Sequence, residues 1–109
     1  MDLRNFKVTK KSVKLGERLE FEFVVRSNAK TAQKLVIDYV VHFVKANRKT
    51  APKVFKLKTV TVPAGSEIEV TKSHHLKPIT TRVYYGGAHR LEIQINGSVR
   101  GAIPWTLVL

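Results

Sequence analysis

The side chains of this chain with the most capacity for chemistry are cations. Lys45, Arg48, Lys49, Lys53, Lys56 and Lys58 follow one another, and no acidic residue interrupts them between Asp38 and Glu67. Arg48 and Lys49 fall where a loop tip is expected, and Lys56 and Lys58 alternate outward along the strand after it. Cations so placed can follow a phosphate backbone, gaining affinity from the counterions that the phosphates release. Lysines also guard sheet edges against pairing with other chains, so the run must be weighed with the whole composition. Lys and Arg number 20 against 8 Asp and Glu, a net charge of +12. Solubility needs a smaller excess. The surplus points to a polyanionic partner, with nucleic acid as the leading candidate.

A second basic group, Lys77, Arg82 and Arg90, surrounds the stretch Lys77-Pro78-Ile79-Thr80-Thr81-Arg82-Val83-Tyr84-Tyr85-Gly86-Gly87. Hydroxyls there can bond phosphate oxygens, a tyrosine ring can stack on a base, and glycines allow close backbone approach. The competing reading gives one tyrosine to a structural corner, with its hydroxyl tied to nearby backbone. On that reading one ring is buried and the other partly exposed.

The remaining polar residues make no catalytic set. His42, His74, His75 and His89 show no metal-ligand spacing. On a strand the adjacent His74 and His75 point to opposite faces, and His89 shares the inward parity of Leu91 and Ile93, as a structural histidine would. Glu20, Glu22, Glu67, Glu69 and Glu92 fall at outward strand positions suited to cross-strand pairing with Lys or Arg. No nucleophile elbow or glycine-rich phosphate loop occurs. The expectation is a protein that is not an enzyme and uses no metal and no cofactor. Cysteine is absent, which fits a reducing, cytoplasmic setting. No apolar stretch is long enough to span a membrane.

These residues are positioned by strands. Period-two alternation bounded by Gly, Pro and Asn recurs along the chain, which predicts an all-β fold in a single domain spanning 1–109. Phe6, Val8, Val13 and Leu15 mark a first strand, broken at Lys10-Lys11 as at an edge or a switch between sheets. Leu19, Phe21, Phe23 and Val25 alternate cleanly and should face the core. The run from Leu35 to Phe43, in which Val36, Asp38, Val40 and His42 alternate with the inward set, is apolar on both faces near its centre, as in a strand in the middle of a sheet. A basic loop is expected over Ala46 to Pro52, then a strand with Phe55 and Leu57 inward. Pro63-Ala64-Gly65-Ser66 predicts a turn, and Ile68 and Val70 a strand. Lys77 to Ala88 reads as a long Greek-key connection, and Asn96-Gly97 as a type I′ hairpin turn. Pro104 places the last strand at an edge or a bulge. About seven strands at this spacing fit an antiparallel β-sandwich of immunoglobulin or fibronectin type.

Several of these segments also resemble a known domain. Val13 to Phe23, Gln33 to Asn47, Pro52 to Lys58, Lys77 to Arg82 and Gly87 to Gly97 are similar to the C-terminal extension of some bacterial DNA alkylation repair proteins, whose catalytic domain is built of helical repeats. The resemblance covers nearly the whole chain and includes none of the family's catalytic positions. It implies an accessory module in a DNA context, in contact with duplex DNA, a helical-repeat repair domain or another protein. The alternative in a different class is an immunoglobulin-like interaction or homodimerisation module. That reading would use an edge strand through Trp105 to Leu109 and the second-face valines Val36, Val40 and Val44. The sequence leaves the oligomeric state open.

Overall fold

The computed structural model describes residues 1–78 and 83–109. Its elements are β1 (Asp2–Val8), β2 (Ser12–Lys14), β3 (Arg18–Arg26), β4 (Gln33–Val44), β5 (Thr50–Val62), β6 (Glu67–His75), β7 (Gly87–Ile95) and β8 (Ser98–Val108). They form a three-stranded sheet in the order β1-β3-β6 and a five-stranded sheet in the order β2-β8-β7-β4-β5. The two sheets enclose one core, in which β3 contributes Leu19, Phe21, Phe23 and Val25, and β4 contributes Leu35, Ile37, Tyr39 and Val41. The period-two pattern dictates this: every second residue of β3 and β4 turns inward and removes a large apolar group from water. Tyr39 is buried as well, and its hydroxyl lies 2.7 Å from His74 Nδ1, so its polar end is satisfied.

The expected first strand is two strands, which accounts for eight elements where about seven were anticipated. β1 pairs antiparallel with β3, and β2 pairs parallel with β8 in the other sheet. The Lys10-Lys11 break is therefore a sheet switch, closed by Thr106 N–H donating to Lys11 O at 2.7 Å and Leu15 N–H to Val108 O at 2.9 Å.

β4 lies between β7 and β5, as its two apolar faces require, and Val40 on its outer side is buried too. Asn96 and Gly97 have φ of 51° and 82°. Both are left-handed, as a type I′ turn demands. Pro104 pairs with Arg90 on β7, while β2 covers only Thr106 to Val108 on the other side. Its missing N–H thus falls on the open part of that edge.

Two expectations change here. Strand pairing reaches Val44 and resumes at Thr50, so the basic loop is shorter than Ala46 to Pro52, and Pro52 sits within the outermost strand β5. The end of β8 is not a free edge: β2 covers it, and Trp105 and Leu107 are buried.

Candidate nucleic-acid interface

The tip of the β4–β5 hairpin is a five-residue loop, Lys45-Ala46-Asn47-Arg48-Lys49, held by its own backbone. Lys45 N–H donates to Lys49 O at 2.7 Å, Arg48 N–H to Lys45 O at 2.9 Å, and Lys49 N–H to Asn47 Oδ1 at 3.0 Å. Arg48 has φ of 64°, a left-handed conformation that costs a residue with a bulky side chain about 1–2 kcal/mol; the three hydrogen bonds offset it. The loop backbone is fixed, and Lys45, Arg48 and Lys49 are all exposed on it. None of them forms an ion pair among the described residues.

Lys53, Lys56 and Lys58 are exposed as well and form no ion pair among the described residues, yet they do not continue one stripe. Lys53 stands opposite buried Val41, with its ammonium 5.5 Å from the centroid of the Phe55 ring. Lys56 stands opposite Asp38 on the outer face. A bulge between Ile37 and Asp38 leaves Leu57 as the extra residue and sets Lys58 opposite buried Ile37. The expected alternation holds up to the bulge: Phe55 and Leu57 are half-buried against the core, and Lys56 and Lys58 are exposed. One inserted residue reverses the parity of everything beyond it. Lys53, over the Phe55 ring on the outermost strand, is a charge of the kind that deters strand addition at a sheet edge.

In the second basic group, Lys77 is exposed, and its carbonyl accepts the Tyr84 hydroxyl at 3.0 Å. That is the expected tyrosine corner. Tyr84 is partly buried, and Tyr85 is 37% exposed. Arg82 lies outside the described residues. Arg90 departs from the expectation of a free cation: its Nη2 is 3.0 Å from Glu92 Oε2. The other oxygen of Glu92 is 2.6 Å from His42 Nε2. This His42–Glu92–Arg90 cluster escaped sequence reading because it needs the β4–β7 register, in which His42 meets Arg90.

The structure brings the hairpin tip beside the tyrosines and glycines of the second stretch, though not beside Lys77 or Arg90. A hollow of about 240 Å³ is lined by the end of β4 and the hairpin tip (Phe43, Val44, Lys45, Ala46) together with Val83, Tyr84, Tyr85 and His89. A second, of about 470 Å³, shares Val44, Lys45, Ala46 and Tyr85 with the first and adds Arg48, the Gly86–Gly87 backbone and Leu109. They meet because β4 and β7 are antiparallel neighbours, which brings the last residues of one beside the first residues of the other.

His89 is the buried structural histidine its parity predicts. Its Nε2–H donates to Tyr85 O at 3.0 Å, and its ring lies 4.7 Å from that of Trp105. Burial pushes its pKa below the ordinary histidine value, opposed by the Tyr85 carbonyl. The imidazole is therefore kept neutral. His74 turns inward to Tyr39, while His75 reaches Gly16 O at 3.1 Å, on opposite faces of β6 as adjacent strand residues must be. Among the described residues no three His, Cys, Asp or Glu side chains converge as metal ligands do.

Comparison with known proteins bears on this arrangement. A family model described as "Uncharacterised protein YhaZ, C-terminal Ig-like domain" matches residues 2–109. Uncharacterized protein YhaZ of Bacillus subtilis (strain 168) is 35% identical over 95 residues, which make up 87% of this chain and 26% of that protein. The alkylpurine DNA glycosylase AlkC of Pseudomonas fluorescens, solved bound to DNA containing an abasic site analog, superposes with a TM-score of 0.95 at 34% identity. That match covers 99% of this chain and 30% of the glycosylase. A β-glucosidase from Listeria innocua aligns over 97% of this chain and 16% of its own, with a TM-score of 0.76 at 20% identity, a likeness of fold alone. The chain thus spans less than a third of the relatives it matches.

Proposed function

The chain belongs to the family of YhaZ C-terminal Ig-like domains, and from that premise we propose that it is a non-catalytic accessory domain that holds duplex DNA by its phosphates. The observation that carries this reading is the hairpin tip: Lys45, Arg48 and Lys49 are exposed on a backbone fixed by hydrogen bonds, with no carboxylate paired to them among the described residues. Unpaired cations displace the counterions condensed on DNA without reading its sequence, so the binding is weak and sequence-tolerant. Lys53, Lys56, Lys58 and Lys77 extend the positive field around the tip. Arg90, bound to Glu92, adds less. The resemblance to alkylation repair proteins and the DNA-bound state of the glycosylase relative support a role beside a catalytic domain of helical repeats, to which this domain adds phosphate contacts.

The test is a fluorescence-anisotropy titration of a labelled duplex at several salt concentrations. Saturable binding whose logarithm falls linearly with log salt, by about 0.9 per phosphate contact, supports the reading and counts the contacts. Absence of binding at low salt rejects it.

A further inference from the structure

Holding a duplex by its phosphates does not require an apolar hollow, yet one lies directly behind the cationic tip. Phe43 meets Tyr84 and His89 edge to face, with centroids 6.1 and 5.9 Å apart, so this lining is a packed aromatic cluster. Tyr85 completes the lining differently: its backbone carbonyl is fixed by His89, while the residue is 37% exposed. Val83, 71% exposed, is the most open large apolar side chain of the described residues. Lys45 lines this hollow and its neighbour, and Arg48 lines the neighbour. Aromatic and apolar surface bordered by unpaired cations is complementary to a flat heteroaromatic ring linked to an anion.

Resting on the nucleic-acid reading above, we infer that the hollow takes one unstacked nucleobase of an unpaired nucleotide. The base stacks on Tyr85, and its flanking phosphates lie at Lys45 and Arg48. Stacking tolerates every base because each has a π-face. A base inside an intact duplex is excluded, since its faces are covered by its neighbours and it would first have to leave the stack. The domain then favours strands with an unpaired nucleotide over a continuous duplex at equal phosphate count.

The experiment compares three labelled probes of equal length at one salt concentration: an oligothymidine strand, the same strand made of abasic tetrahydrofuran residues, and an intact duplex. The base-bearing strand is expected to bind about fivefold or more tighter than the abasic one. Tyr85→Ala removes that gap and leaves duplex affinity unchanged, whereas Tyr85→Phe keeps it. Equal affinity of the unmodified chain for the two strands, with the duplex still bound, overturns the nucleobase site and leaves the phosphate reading standing. Failure to bind any probe overturns both. A gap that survives Tyr85→Ala overturns the stacking role of that ring. The comparison of strands on the unmodified chain decides the matter even if the alanine variant is unstable.

Discussion

Several cations on and beside the three-stranded sheet meet carboxylates, and among the described residues those at the β4–β5 tip do not. On the sheet and beside it, Lys7 Nζ lies 3.5 Å from Glu22, Arg4 Nη2 lies 3.5 Å from Asp2, and Lys10 Nζ lies 3.8 Å from Glu17. The register also sets Arg26 across from Glu67. Such exposed pairs contribute about 0–1 kcal/mol each to stability, but they cancel one another's field. At the tip no carboxylate of the described residues pairs with the cations, and at physiological salt charges more than about 8 Å away are largely screened. The surplus of +12 is therefore less informative than its location.

The contrast can be tested from its structural support downward. β1 carries the paired face and lies with Leu3 and Phe6 over Gly101 of β8, where a Cβ would come within 2.5 Å of Leu3 Cδ2 and 3.2 Å of Phe6 Cδ2. Gly101→Val should cost about 1–3 kcal/mol in urea unfolding by overpacking while the salt slope of DNA binding stays the same. A changed slope would mean that the two regions are coupled.

Next in size is the charge reversal Arg48→Glu with Lys49→Glu. The slope should drop by about two and low-salt affinity about tenfold or more. The same change in net charge made as Arg4→Glu with Lys7→Glu should leave the slope in place. Equal losses from both doubles would show that total charge, not position, governs binding.

A pH series probes the buried side of the interface. Burial lowers the pKa of His89 from its ordinary 6.5, so the unfolded chain takes up this proton first as pH falls. The associated stability is whole above about pH 6.5 and is lost as pH drops toward the folded value, by at most about 1.4 kcal/mol per pH unit. Stability curves of the unmodified chain and of His89→Gln should converge on acidification over that window; parallel curves would remove His89 as the titrating group. The smallest effect is expected from Lys7→Ala, within about 0.5 kcal/mol in thermal unfolding. A larger loss would make the paired face a structural element in its own right.

Much of this fold is legible in local pattern. The alternation of Leu19, Phe21, Phe23 and Val25 identifies β3 and its buried face, and Asn96-Gly97 identifies the tightest hairpin. Lys10-Lys11 marks the sheet switch, and Tyr84 its corner. The site was less readable. The tip cations stand out as a run, but Leu57 gives no sign that the β4–β5 register slips beside it. Glu92 reads as an ordinary outward carboxylate, although it holds both Arg90 and His42.

The sequence by itself determined the strand class, the inward residues, the basic surplus and its concentration between Asp38 and Glu67. These follow from side-chain chemistry and from a backbone whose successive residues face opposite ways. Only the tertiary structure decided which strands are neighbours, where the register slips, which cations pair with a carboxylate, and that the end of β4 meets the start of β7. Those depend on hydrogen bonds and packing between residues far apart in the chain, which no local period records.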